Sequence, residues 1–143
     1  MYNYSKMNQE ELKRLILDTT YSQVQRNATL RITDQRILKE IALNVDKLCW
    51  IARGTAVEKL TDQETLKYIA LNDKDWFVRL CAVYNDNLAD QETLKQVALN
   101  DKKSDVRERA VTKLTDKETL QYIAINDESW YVRITAEDYL KKL

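Results

Sequence analysis

DQETLKYIALND at residues 62–73, DQETLKQVALND at 90–101 and DKETLQYIAIND at 116–127 are three copies of one motif. Ten of the twelve positions in the first copy recur in the second and nine in the third. Looser copies stand at 34–44 (DQRILKEIALN) and 8–18 (NQEELKRLILD). A block that returns every 26 to 28 residues along the chain marks a stack of small repeated units rather than an ordinary globular domain.

Within the motif, Leu66, Ile69 and Ala70 match Leu38, Ile41 and Ala42, then Leu94, Val97 and Ala98, then Leu120, Ile123 and Ala124. Leu12, Leu15 and Ile16 hold the same offsets near the N-terminus. Spacings of three and four put these side chains on one face of a helix. Thr61 with Glu64, and Thr115 with Glu118, fit the capping box that starts a helix; Ala89 lacks the cap side chain, and Asp90 can cap one residue later.

A second helix follows in each unit, with Val78 and Ala82, then Val106, Ala110 and Leu114, then Val132, Ala136 and Leu140 on its face. Small alanines at matched positions let two helix backbones approach closely. Asn-Asp and one or two polar residues separate the halves, which predicts antiparallel helix pairs too short to stand alone. Matched alanines at 28, 56, 82, 110 and 136 define five units, 8–33, 34–61, 62–89, 90–115 and 116–143, in a single domain spanning 1–143. The register slips by two residues between Asn44 and Ala56 and again after Ala82. The segment Tyr84 to Asn87 (YNDN) is the site of the second extra pair and a candidate functional loop.

Composition agrees with a helical stack: proline is absent and Gly54 is the one glycine. Gly54 reads either as room for a close neighbour or as a tolerated surface substitution. The apolar runs are too short to cross a bilayer and no signal segment is recognisable, so the expectation is a soluble, cytoplasmic protein. Cys49 and Cys81 are expected to be reduced, and two thiols with no histidine in the chain do not make a zinc set. The missing histidine, Gly-rich loop and HExxH motif leave no catalytic constellation and no cofactor site, and catalysis is disfavoured.

These residues carry a resemblance to the HEAT-repeat superfamily, particularly its short bacterial variants with HEAT-like or PBS-lyase-like repeats. In that family an acidic residue in the turn pairs with an arginine six residues on, forming a ladder that joins units. Asp73 matches Arg79, Asp101 matches Arg107, and Asp127 matches Arg133. The pattern departs at Arg53, which has Lys47 six residues before it, and in the first unit, where Thr19 and Gln25 replace the pair. Leucine-rich-variant repeats are also similar and would replace the first helix of each unit by a tighter 3₁₀ turn. The resemblance implies an all-α fold, a right-handed α-solenoid of about five antiparallel helix pairs, and macromolecular binding.

Function is expected in what the repeats do not share. Phe77 and Tyr84 lie off the stacking face of their helix and read as central anchors of a protein- or peptide-binding strip. Ile51, Trp50, Trp76, Trp130 and Tyr131 are possible contributors. The competing reading folds these aromatics into grooves between units. It applies most strongly to the tryptophans, which recur at one matched position where the fourth unit has Ser104, beside Asp105, as a polar notch. Nucleic acid is a weaker partner, because 23 basic residues are balanced by 23 acidic ones and the recurring arginines have acidic partners. A membrane surface is weaker again. Self-association through the ends of the stack, by Leu12, Leu15, Ile16 and Leu17 or by Leu140 and Leu143, is the better rival. A repeat protein without a natural ligand is the remaining alternative.

Overall fold

The computed structural model describes all residues 1–143 and contains ten α-helices after a 3₁₀ turn at Tyr4–Lys6. In chain order they are α1 (Gln9–Asp18), α2 (Ser22–Thr29), α3 (Gln35–Leu43), α4 (Trp50–Lys59), α5 (Gln63–Asn72), α6 (Trp76–Tyr84), α7 (Gln91–Asn100), α8 (Ser104–Val111), α9 (Lys117–Asn126) and α10 (Trp130–Leu140). There are no strands, and no helix is long and apolar enough to cross a membrane. The first helix of every pair is α-helical, so the 3₁₀ alternative of the leucine-rich variants is not adopted.

Helical periodicity accounts for the core. Leu12, Leu38, Leu66, Leu94 and Leu120 are all buried, as are Ala28, Ala56, Ala82, Ala110 and Ala136. Each odd-numbered helix packs on the even-numbered helix that follows it, and the even helices pack in sequence, α2 on α4, α4 on α6, α6 on α8 and α8 on α10. The alanines explain this row, since a methyl group at each contact lets neighbouring backbones close up. Gly54 extends the same logic: a Cβ there would sit 3.1 Å from Cys81 Sγ and 3.2 Å from a Phe77 ring carbon. Of its two readings, close approach is the one observed.

The helix starts differ from the capping-box expectation. The N-caps of α5, α7 and α9 are Asp62, Asp90 and Asp116, one residue after the threonine or alanine position. Each aspartate accepts a hydrogen bond from the hydroxyl of Thr65, Thr93 or Thr119, and Asp90 also accepts the Thr93 N–H at 2.9 Å. Those hydroxyl bonds are the largest cause, and the charge of a lysine of the preceding unit and backbone N–H groups add to them in holding the three carboxyls below their ordinary range. Thr61 and Thr115 are occupied elsewhere, with Thr61 N–H donating to Gln35 and Thr115 N–H to Gln91, both at 3.0 Å. At α1 the Glu11 N–H donates to Asn8 Oδ1, and the return bond to Glu11 Oε1 comes from the Asn8 side-chain amide rather than from its backbone N–H.

Candidate functional site

One edge of the molecule is formed by the turns joining the two helices of each pair, residues 19–21, 44–49, 73–75, 101–103 and 127–129. The last three each open on an aspartate. Asp73, Asp101 and Asp127 each turn Oδ1 onto the N–H two residues ahead, that of Asp75, Lys103 and Ser129, at 2.8 to 2.9 Å. The same carboxylates receive the guanidinium of the preceding unit. Arg53 reaches Asp73, Arg79 reaches Asp101 at 2.7 and 3.0 Å, and Arg107 reaches Asp127 with two bonds of 2.9 Å.

This corrects the expected pairing. Asp73, Asp101 and Asp127 do not pair through their side chains with Arg79, Arg107 and Arg133 six residues on. Those arginines instead donate to the backbone carbonyls of the same aspartates, at 2.9, 2.9 and 2.6 Å. Arg79 and Arg107 therefore bridge the carbonyl of their own turn to the carboxylate of the next. Gln25 is a neutral version of the device, donating to Thr19 O at 3.0 Å and accepting the Cys49 N–H at 3.3 Å. Burial pushes the Asp127 carboxyl up, but the Arg107 and Ser129 bonds and the charges of Arg107 and Arg133 outweigh it and hold the group below the ordinary carboxylate range. Arg53 and Arg107 are only 2% and 4% exposed. Guanidiniums so enclosed join units and are not available to a phosphate backbone.

The aromatic candidates divide. Trp50, Trp76 and Trp130 are the first residues of α4, α6 and α10 and remain 45%, 39% and 65% exposed. Their recurrence reads in sequence as structural, yet they line the outside of the turn edge. At the start of a helix a side chain points back past the first turn rather than into the stack. Phe77 is the opposite correction: it is half-buried, with its ring 4.8 Å from Trp50 and 6.0 Å from Trp76, both edge-on, and over Gly54. It props up the tryptophans and is not a free anchor.

Tyr84 is 53% exposed and stacks on the Arg109 guanidinium at 4.2 Å. Ile51 is half-buried. Tyr131 is too, and its hydroxyl lies 2.6 Å from Ser104 Oγ and donates to Asp105 Oδ1 at 2.8 Å. The polar notch at Ser104 and Asp105 is thereby filled by the following unit. Cys49 and Cys81 are free thiols. Burial, followed by the nearby Glu58 carboxylate, pushes the Cys81 thiol up to about 12.

Three recurring devices between units had signals in the repeat that local motif reading passed over. The glutamine opening the first helices clamps the following linker: Gln35 donates to Lys59 O at 2.9 Å while accepting Thr61 N–H, and Gln91 does the same with Lys113 and Thr115. Lys39, Lys67 and Lys95, also at one motif position, pair with Asp62, Asp90 and Asp116 of the next unit at 3.6 to 3.7 Å. Three residues after the matched alanine, Lys59, Asn85 and Lys113 each cap the C-terminus of the preceding even helix. Lys59 Nζ donates to Leu30 O, Asn85 Nδ2 to Val57 O and Leu60 O at 2.8 Å, and Lys113 Nζ to Val83 O and Asn85 O at 3.0 and 2.9 Å. Burial pushes the ammonium groups of Lys59 and Lys113 below the usual lysine range. The YNDN segment, a candidate functional loop in the sequence, is thus partly internal, because its Asn85 is buried as a cap. Comparison of the chain with protein families, with curated proteins and with solved structures returns no match.

Proposed function

We propose that this chain is a right-handed α-solenoid of five HEAT-like units that serves as a protein- or peptide-binding module, with the tryptophan-bearing turn edge as its contact surface. The successive packing of even helices, the alanines between them and the arginine bridges from turn to turn support the solenoid reading. They supply the rigidity a binding scaffold needs.

The exposure of Trp50, Trp76 and Trp130 at one matched position carries the functional reading. Indoles whose burial would stabilise the fold instead keep much of their surface in water, and such residues supply anchors in protein interfaces. Phe77, half-buried against Trp50 and Trp76, restrains their orientation and lowers the entropy lost when a partner docks. Tyr84, held by Arg109, extends the surface along α6.

Selection from a random peptide display library tests the reading. Peptides enriched on the wild-type chain and lost on a folded Trp50→Ala/Trp76→Ala/Trp130→Ala variant are the expected result. No enrichment on a folded wild-type chain overturns it and favours a repeat protein without a ligand.

A further inference from the structure

The recess between the α5–α6 turn and the α7–α8 turn has a volume of about 600 Å³, with Leu71, Trp76, Lys74, Lys102, Lys103 and Arg79 in its lining. Four cationic side chains line it against two carboxylates, Asp73 and Asp101. Both acids are already committed, Asp73 to Arg53 behind the lining and Asp101 to Arg79. Lys74 and Lys102 are exposed, and no carboxylate lies within 4.0 Å of either. Lys103 lies over the Trp76 ring at 4.7 Å and only 4.0 Å from Asp105. The accessible surface of this joint is therefore positive around an aromatic platform. The neighbouring recess, between the α7–α8 and α9–α10 turns, differs: Glu128 occupies the turn position held by Lys74 and Lys102 and approaches Arg107 at 3.5 Å.

We propose that the α5–α8 joint binds an acidic peptide segment, its carboxylates meeting Lys74 and Lys102 and an apolar side chain lying on Trp76 and Leu71. The inference deepens the binding-module reading and rests on it. Charge complementarity selects the occupant, since carboxylates would replace partners the two lysines lack, while the aromatic face favours a ligand with an apolar side chain between its charges. A nucleic-acid backbone is the poorer fit. It needs cations continued along its path, and at the next joint Glu128 takes the matched turn position while Arg107 is held by Asp127. The other lysines at matched motif positions, Lys39, Lys67 and Lys95, are taken up by carboxylates of neighbouring units.

The test is fluorescence anisotropy on the full chain with three labelled probes: a peptide of glutamates interspersed with leucine, the same peptide with glutamine for glutamate, and oligothymidylate. Peptides recovered from the display selection are measured alongside. The glutamate peptide is expected to bind at least about tenfold more tightly than the glutamine peptide, and to weaken by a similar factor in a folded Lys74→Glu/Lys102→Glu variant and on addition of salt. Equal affinity for the two peptides, binding unchanged by the lysine substitutions, or tighter retention of oligothymidylate overturns the proposal. Display peptides that require the tryptophans but not Lys74 and Lys102 overturn the acidic preference and leave the binding module standing. Failure of every probe, with no peptide recovered from display, overturns both.

Discussion

Replacing Arg107 by alanine removes a guanidinium that makes three hydrogen bonds within 2.9 Å, two to the Asp127 carboxylate and one to Asp101 O. The Asp127 carboxylate would keep the Ser129 N–H but lose its paired charge while still shielded from water. Leaving one member of a buried pair uncompensated costs about 3–5 kcal/mol, and we expect about 3 kcal/mol at this edge position. The additional contact with exposed Glu128 adds little. For a chain of this size the loss lowers Tm by roughly 10 °C. Urea unfolding followed by far-UV circular dichroism and tryptophan fluorescence measures it, and a double-mutant cycle with Asp127→Ala isolates the pair. The pH dependence has a definite sign. Asp127's folded pKa is depressed, so its contribution is present above the unfolded value near about 3.9 and is lost as pH falls through the folded value. The stability gap between wild type and Arg107→Ala should therefore close in acid. A neutral-pH gap under about 1 kcal/mol, or one that persists unchanged once the carboxyls are protonated, would refute the bridging role.

Asn85→Ala should cost about 1–2 kcal/mol by removing the amide that bridges Val57 O and Leu60 O, which keep only the Leu60 N–H and the Asn87 side-chain amide, while Asn85→Lys should recover much of it because Lys59 and Lys113 perform the same capping at matched positions; denaturant titration of the three proteins decides. Gly54→Val should destabilise by about 3 kcal/mol through collision with Phe77 and Cys81, whereas Gly54→Ala should stay within about 1 kcal/mol of wild type, the helix propensity gained offsetting the tighter contact. At mildly alkaline pH a thiol reagent should label Cys49 well before Cys81, whose thiolate is suppressed by burial; equal rates in the folded chain would contradict the packing around α6.

The features legible in the sequence are those contained within one helix or one turn. The spacing of Leu66, Ile69 and Ala70 identifies a buried face because side chains three and four apart on a helix point the same way wherever that helix is placed. The matched alanines, the absence of proline and the short Asn-Asp turns establish a series of helix pairs. The capping motif predicts helix starts one residue early: Thr61 and Thr115 satisfy the pattern, but glutamines from the preceding units hold their N–H groups and the aspartates start the helices. That competition involves two units and has no trace in a window of four residues.

The aromatic edge failed to read for a related reason. Recurrence of Trp50, Trp76 and Trp130 looks the same whether the side chains fill grooves or stand outside them, and the difference lies in which way the first residue of each even helix points relative to its neighbour. Phe77, one position later, falls over Gly54 and is covered. By itself the sequence determined the repeat, the all-helical class and the core face of each helix, because these follow from covalent spacing and helical period. The tertiary structure alone decided that Arg53, Arg79 and Arg107 meet the carboxylate of the following unit, that Asn85 and Gly54 are internal, and that the tryptophans are exposed, because these depend on the offset between neighbouring helix pairs, a distance that periodicity within one helix does not encode.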